Sequence, residues 1–118
     1  MGSKWHTVVV DSSDPATIAK FWAAVLDYQV IYSAPDEVVI AKDEKTYPGL
    51  IFGTVPEGKT VKNRLHIDLN PENQEAEVER LIGLGARRID IGQGEVTWVV
   101  MADPEGNEFC VLRAREQP

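Results

Sequence analysis

Residues 66–71 read His66-Ile67-Asp68-Leu69-Asn70-Pro71. Polar and apolar residues alternate, an Asn-Pro step follows, and a helical pattern then runs to Leu84-Gly85-Ala86. The same order stands about 58 or 59 residues earlier. There Thr7-Val8-Val9-Val10-Asp11 is a β-branched run, Asp14-Pro15 follows it, and an apolar helical pattern ends at Leu26-Asp27. Later pieces correspond as well: Glu37–Ala41 with Glu95–Ala102, and Gly49–Phe52 with Asn107–Cys110. Few letters are shared, so the repeat lies in the order of the elements.

Each half reads strand–helix–strand–strand–strand. In the first, a strand near Trp5–Asp11 precedes a helix opened by Asp14 as N-cap and Pro15 at the first helical position, where its missing N–H costs nothing. Ile18, Phe21, Trp22, Val25 and Leu26 recur along one helical face. Strands near Tyr28–Tyr32, Glu37–Lys42 and Gly49–Thr54 follow, with turns at Ala34–Asp36 and Asp43–Pro48. The second half has strands near Arg64–Leu69, Arg87–Ile91, Glu95–Ala102 and Glu108–Arg113. Its helix carries Val78, Leu81 and Ile82 on one face, glutamates on the other, and Gly85 as its C-cap. Val55–Lys62 is the junction, so the modules span about 4–55 and 62–114 of a single domain. Arg115–Pro118 reads as a frayed end. The fold class is α+β: two tandem βαβββ modules, each with a sheet covered on one face by its helix. Pairing of the bare faces would make a bowl, and a bowl holds a small molecule. Three consecutive strands after the first helix disfavour a ferredoxin-like βαββαβ order.

Composition narrows the function. The chain has 118 residues, 43% hydrophobic and 26% charged, with 19 acidic against 12 basic side chains and a net charge of −7. That balance argues against nucleic acid and against anionic membrane surfaces as partners. No apolar run is long enough to span a membrane, and the N-terminus lacks a signal pattern, so a cytoplasmic location is expected. One cysteine, Cys110, excludes an internal disulfide framework, and two histidines, His6 and His66, exclude a multi-histidine site within one chain. There is no glycine-rich nucleotide loop, no zincin motif and no serine-hydrolase elbow.

Asp14-Pro15 followed by Ala19-Lys20-Phe21-Trp22 resembles the opening helix of the glyoxalase/bleomycin-resistance/dioxygenase group, the vicinal oxygen chelate superfamily. Lys62–Leu69 resembles its second-module first strand, and Asp103-Pro104-Glu105-Gly106-Asn107-Glu108 its closing hairpin. The resemblance spans essentially the whole chain and is nearest to the glyoxalase-like branch. It implies a metal held by first and last strands of both modules. Those four positions fall on Thr7, Phe52, His66 and Cys110. Only His66 and Cys110 have metal-binding side chains, one short of the three protein ligands an open catalytic site wants. The metal site therefore reads as degenerate, and a divalent cation, if bound, rests on His66 and Cys110 with a third group such as Glu108 or Asp68.

The residues themselves point the same way. Arg64, His66 and Asp68 share one parity, opposite to Leu65, Ile67 and Leu69, whose face meets the helix. His66 and Asp68 are the candidate acid–base pair, and Arg64 the contact for an anionic group. A self-satisfied polar network is the plain structural alternative. Thr7, Phe52, Trp98 and Cys110 are candidate ligand-binding residues, Phe52 and Trp98 by stacking. A lone cysteine in an apolar strand is otherwise a small buried hydrophobe. His6 has the opposite parity to Thr7 and faces away from it, while Trp5 and Trp22 read as core. Asp103–Asn107 reads as a structural turn. The expected function is a glyoxalase-like small-molecule-binding protein, with sequestration or resistance as open as catalysis. The alternative is a metal-dependent lyase, isomerase or dioxygenase using His66 and Cys110. A homodimer is expected from pairing of like sheets.

Overall fold

Asp14 begins the first helix by accepting hydrogen bonds from the Thr17 backbone N–H at 3.3 Å and the Thr17 hydroxyl at 2.6 Å. The structure, a computed structural model, describes residues 2–46 and 49–114. Of the expected features, the end of the Asp43–Pro48 turn and the tail Arg115–Pro118 lie outside the described residues. The chain divides into two compact units, Met1–Gly58 and Lys59–Pro118.

In the first unit, β1 (Val8–Ser12), α1 (Pro15–Leu26), β2 (Gln29–Ala34), β3 (Glu37–Ala41) and β4 (Leu50–Thr54) form a four-stranded sheet in the order β1-β4-β3-β2. β1 runs parallel to β4, and the remaining pairs are antiparallel. Ile18, Phe21, Trp22 and Val25 of α1 are buried against this sheet with Val38, Ile40 and Phe52. The Phe21 and Trp22 rings meet edge to face at 5.2 Å. The helix ends with Asp27 in the left-handed region (φ 56°), a cap the sequence reading did not anticipate. A bulge between Val30 and Tyr32 interrupts the β2–β3 register. Gly49 allows a close approach, since a Cβ there would meet the Ile40 carbonyl oxygen at 2.4 Å.

The second unit repeats the order with β5 (Ile67–Leu69), α2 (Gln74–Leu84), β6 (Arg87–Arg88), β7 (Val99–Ala102) and β8 (Glu108–Val111), in a sheet ordered β5-β8-β7-β6. β5 is parallel to β8, as β1 is to β4. The α+β architecture of tandem βαβββ units is therefore observed, and the βαββαβ order is not. Asn73 caps α2 through the Ala76 N–H at 2.9 Å, so the helix starts beyond the Asn70-Pro71 step. Gly85, at φ 117°, closes it as expected.

Three expectations about burial are corrected. Trp5, read as core, is 71% exposed, because β1 begins only at Val8 and residues before it leave the sheet. Leu65 is 82% exposed, because β5 begins only at Ile67 and the alternation does not reach back to it. Ile82 is exposed, and α2 covers its sheet with Val78 and Leu81. No helix among the described residues is long and apolar enough to cross a membrane.

Candidate functional site

The short strand β5 sets His66 at its threshold and Asp68 one step inside. Asp68 lies opposite Cys110 in the parallel β5–β8 register, and Cys110 lies opposite Val100 in the antiparallel β7–β8 register. Leu69, Phe109 and Val111 alternate with these residues and are buried. One sheet face thus buries apolar side chains, and the other gathers Asp68, Cys110 and Val100.

On that face the His66 Nδ1 and an Asp68 carboxylate oxygen stand 3.0 Å apart, with both side chains nearly half exposed. At this distance the Asp68 carboxylate can accept a hydrogen bond from a protonated Nδ1, which holds the imidazole ring in place. One donor atom each from His66, Asp68 and Cys110 lies within 4.8 Å of the others. Burial, then the charge of Asp68 and a side-chain hydrogen bond with it, push the Cys110 thiol up, while Lys62 pulls weakly the other way. Cys110 is thus a neutral thiol at neutral pH and no ready nucleophile.

A cavity of about 300 Å³ opens over this cluster, with Trp98, Val100, Ile91 and Leu112 as its apolar wall and Lys62 as a cation at its edge. Gln74 steadies the approach to Trp98: its amide donates to the Thr97 carbonyl at 2.8 Å and to the Val111 carbonyl at 3.0 Å. The loop after β6 is closed by Asp90, which accepts from the Gly92 N–H at 2.7 Å, and by Gln93, which accepts from the Ile91 N–H at 2.9 Å.

Glu108 also borders the cavity, but its carboxylate is engaged. It accepts from the Asn63 N–H at 3.0 Å and pairs with Lys59 at 3.0 Å. Burial works to raise its pKa, yet the Asn63 and Lys59 contacts more than offset this and hold it below the usual range. The neighbouring Asp103–Asn107 segment is the structural turn its sequence predicts. The buried Asp103 carboxylate accepts from the Glu105 and Asn107 N–H groups, each at 2.9 Å, and Gly106 takes φ 88°.

Of the expected site residues, His66, Asp68, Trp98 and Cys110 come together at this cavity. Arg64 does not. It is exposed and precedes the strand, and Lys62 is the cation at the wall instead. Phe52 has no exposed surface, lies in the first unit's core and is not among the residues lining this cavity. The reason is parity: Val9 opposite Ile51 corresponds to Asp68 opposite Cys110 at an offset of 59 residues, which makes Ile51 the counterpart of Cys110. Phe52 is one residue away and therefore faces the helix. Thr7 lines a separate cavity of about 200 Å³ in the first unit, where its hydroxyl donates to the Gly49 carbonyl at 3.2 Å. His6 lines that cavity too, contrary to the parity expectation, because both residues precede β1. Lys62, Ile91, Gln93 and Leu112 were not foreseen. They stand in loops or at strand ends, where only the β5–β8 pairing and the loop after β6 bring them to the cluster.

A family model described as a glyoxalase-like domain matches residues 7–112. The chain belongs to the glyoxalase-like domain family. That places it in the glyoxalase/bleomycin-resistance/dioxygenase superfamily, of the vicinal oxygen chelate type. No curated protein matches the sequence. Among solved structures, it is similar to a glyoxalase/bleomycin resistance protein/dioxygenase family enzyme from Burkholderia phytofirmans, at 20% identity and TM-score 0.61, over 89% of this chain and 94% of that one. It is also similar to a fosfomycin resistance protein from Listeria monocytogenes complexed with Mn(II) and a dihydroxypropylphosphonic acid, at 16% identity and TM-score 0.70, over 98% and 93% of the two chains. A third similar structure is a bleomycin resistance determinant encoded on the transposon Tn5, at 12% identity and TM-score 0.62, over 97% of this chain and all of that one. At these identities the likeness of this glyoxalase-like chain to each structure is one of fold.

Proposed function

We propose that this glyoxalase-like protein binds a small, partly apolar molecule in the second-unit cavity, with His66 and Asp68 as its polar contacts and Trp98 as its stacking surface. The observation that carries the reading is the oriented His66–Asp68 pair, 3.0 Å apart, opening onto a cavity of about 300 Å³ walled by apolar side chains. That volume is at the lower end of the range for small-molecule sites. Lys62 at the edge favours a ligand with an anionic substituent. The structural neighbours include a resistance protein complexed with a small phosphonic acid, which supports a small-molecule ligand. Thermal-shift screening against small anionic aromatic and phosphonate compounds tests the proposal. A ligand should raise the melting temperature of the wild type and not that of His66→Ala. An identical response from the two proteins would sink the site assignment.

A second reading is catalysis, favoured by the way Asp68 holds the His66 ring at the cavity. In this reading Nε2 of His66 takes a proton from a bound substrate, and Asp68 stabilises the imidazolium that results. It would show as a pH–rate profile whose acidic limb disappears in His66→Ala. A metal-dependent lyase, isomerase or dioxygenase using His66 and Cys110 is its metal-assisted form. The Mn(II) named for the Listeria neighbour is a hard cation suited to oxygen and imidazole donors. Here Cys110 supplies sulfur, so the donor set does not suit that metal, and no step is assigned to it. A homodimer in the cytoplasm, where the single Cys110 would stay reduced, belongs to the same reading. Sedimentation analysis tests the dimer.

A further inference from the structure

Two lysines three residues apart, on the arm before β5, are placed differently. Lys59 is engaged by Glu108, its ammonium 3.0 Å from the carboxylate, with the two side chains 20% and 8% exposed. Lys62 lines the cavity and pairs with no carboxylate among the described residues; its ammonium reaches the Asn63 carbonyl, at 3.5 Å. We infer that Lys59, itself outside the cavity wall, determines which ligand charge the cavity accepts: by occupying Glu108 it keeps Lys62 free to meet an anionic group. The inference rests on the reading of the second-unit cavity as the ligand site.

The charges around the cavity carry the inference. Its wall holds Lys62, Asp68 and Glu108, two carboxylates against one ammonium, with His66 beside Asp68. A mostly buried carboxylate demands a partner. Without Lys59, the cation that shares the cavity with Glu108 is Lys62, and Asn63, next to it in sequence, already has its N–H on Glu108 at 3.0 Å. Lys59 pre-empts that pairing. Between the Lys59 ammonium and the Asn63 N–H, the Glu108 carboxylate is engaged and its charge is offset before it reaches the cavity. His66 engages Asp68 at 3.0 Å. Among the described residues, Lys62 is then the charge at the wall that has no counter-charge.

The fold seats Lys59 in this role. The Asn63 side-chain amide donates to Asn107 Oδ1 at 3.2 Å, and Asn107 is itself fixed by Asp103, to whose Oδ2 its Nδ2 donates at 3.0 Å. The Lys59 stem lies by Gly106, where an added Cβ would stand 4.0 Å from its Cδ. The turn Asp103–Asn107 therefore also sets the register of the arm: position 59 meets Glu108 and position 62 meets the cavity. An exposed ion pair contributes little. Here the carboxylate is mostly buried and takes a charged partner and a backbone N–H together, which fixes its direction as well as its charge.

Phenylphosphonate and its neutral dimethyl ester are the probes, titrated by calorimetry into the wild type, Lys59→Ala, Lys62→Ala and the double variant Lys59→Ala/Glu108→Gln, with circular dichroism as the control of folding. The wild type should prefer the phosphonate. Lys59→Ala and Lys62→Ala should each weaken phosphonate binding by roughly tenfold and leave the ester unchanged, and the double variant should return phosphonate binding to within about twofold of the wild type. A merely structural Lys59 would move both probes alike and would gain nothing from Glu108→Gln. Either of those results, or equal binding of the two probes by the wild type, overturns the inference. A ligand-free readout separates it from the ligand reading. The Lys62 Nζ resonance, followed by NMR through the ε-methylene protons, should shift in Lys59→Ala and return in the double variant. If neither probe binds and the shift is seen, the ligand reading falls while Lys59 still keeps Lys62 free. Absence of the shift overturns the inference whatever the probes do.

Discussion

Cys110 is held in an unreactive state by three effects at once. Burial, the charge of Asp68 and the hydrogen bond with Asp68 all raise its pKa, and Lys62 opposes them. Only the thiolate alkylates, so labelling by iodoacetamide should be slow at neutral pH and should accelerate above the ordinary thiol range. Asp68→Asn removes a charge that raises the pKa, so its rate–pH profile should shift to lower pH; superimposable profiles would show that Asp68 does not control the thiol. Phe52 teaches the converse lesson. Its ring is fully buried among α1 and the first sheet, and Phe52→Ala should cost about 3–5 kcal/mol in chemical denaturation. From sequence it could stand one residue out of register, because the repeat offset read as either 58 or 59. In a strand that single residue exchanges core for open face. Arg64 was misplaced for a related reason: alternation predicts a face only inside a strand, and β5 starts three residues later.

At the scale of elements, the legible features were those fixed by local chemistry. Asp14-Pro15 announces α1, Gly85 ends α2, and Asp103-Pro104-Glu105-Gly106-Asn107 makes the turn into β8; all three form as their residue types demand. The lengths of β5 and β6 were not legible, since two- and three-residue strands exist only through their pairing partners. The segment before β5 is tied to β8 by Glu108, and this tie has a pH signature. A folded-state carboxyl pKa below its unfolded value stabilises the protein above the unfolded value. That contribution is lost as pH falls through the folded value. Thermal melts should therefore drop in the acid range below the ordinary glutamate pKa. Glu108→Gln should flatten that drop and cost about 2 kcal/mol at neutral pH, the worth of a charge-assisted hydrogen bond. An unchanged acid limb would remove Glu108 as its source.

Across the whole molecule, one architecture is used twice, and among the described residues only the second copy brings an imidazole, a carboxylate and a thiol together. Thr7, Val9 and Ile51 occupy in the first unit the positions that His66, Asp68 and Cys110 occupy in the second. The open face of the first sheet is instead an apolar row, with Val9, Ile51, Val39 and Tyr32 registered across all four strands. The repeat was readable because the order of elements survives divergence. The asymmetry of chemistry was readable from the scarcity of histidine and cysteine, but not its grouping of Asp68 with His66 and Cys110.

Two ties fix the junction of the repeats more narrowly than its eight-residue span suggests. The Val55 N–H bonds the Ser12 carbonyl in the first unit, and Lys59 pairs with Glu108 in the second. Pro56, Glu57 and Gly58 alone stand between those anchors, and a side chain at Gly58 would meet nothing within 4 Å. The junction between the two units is thus three residues wide. It is the place where a protein engineer could splice in a reporter or exchange one half for that of a cousin while leaving both anchors in place.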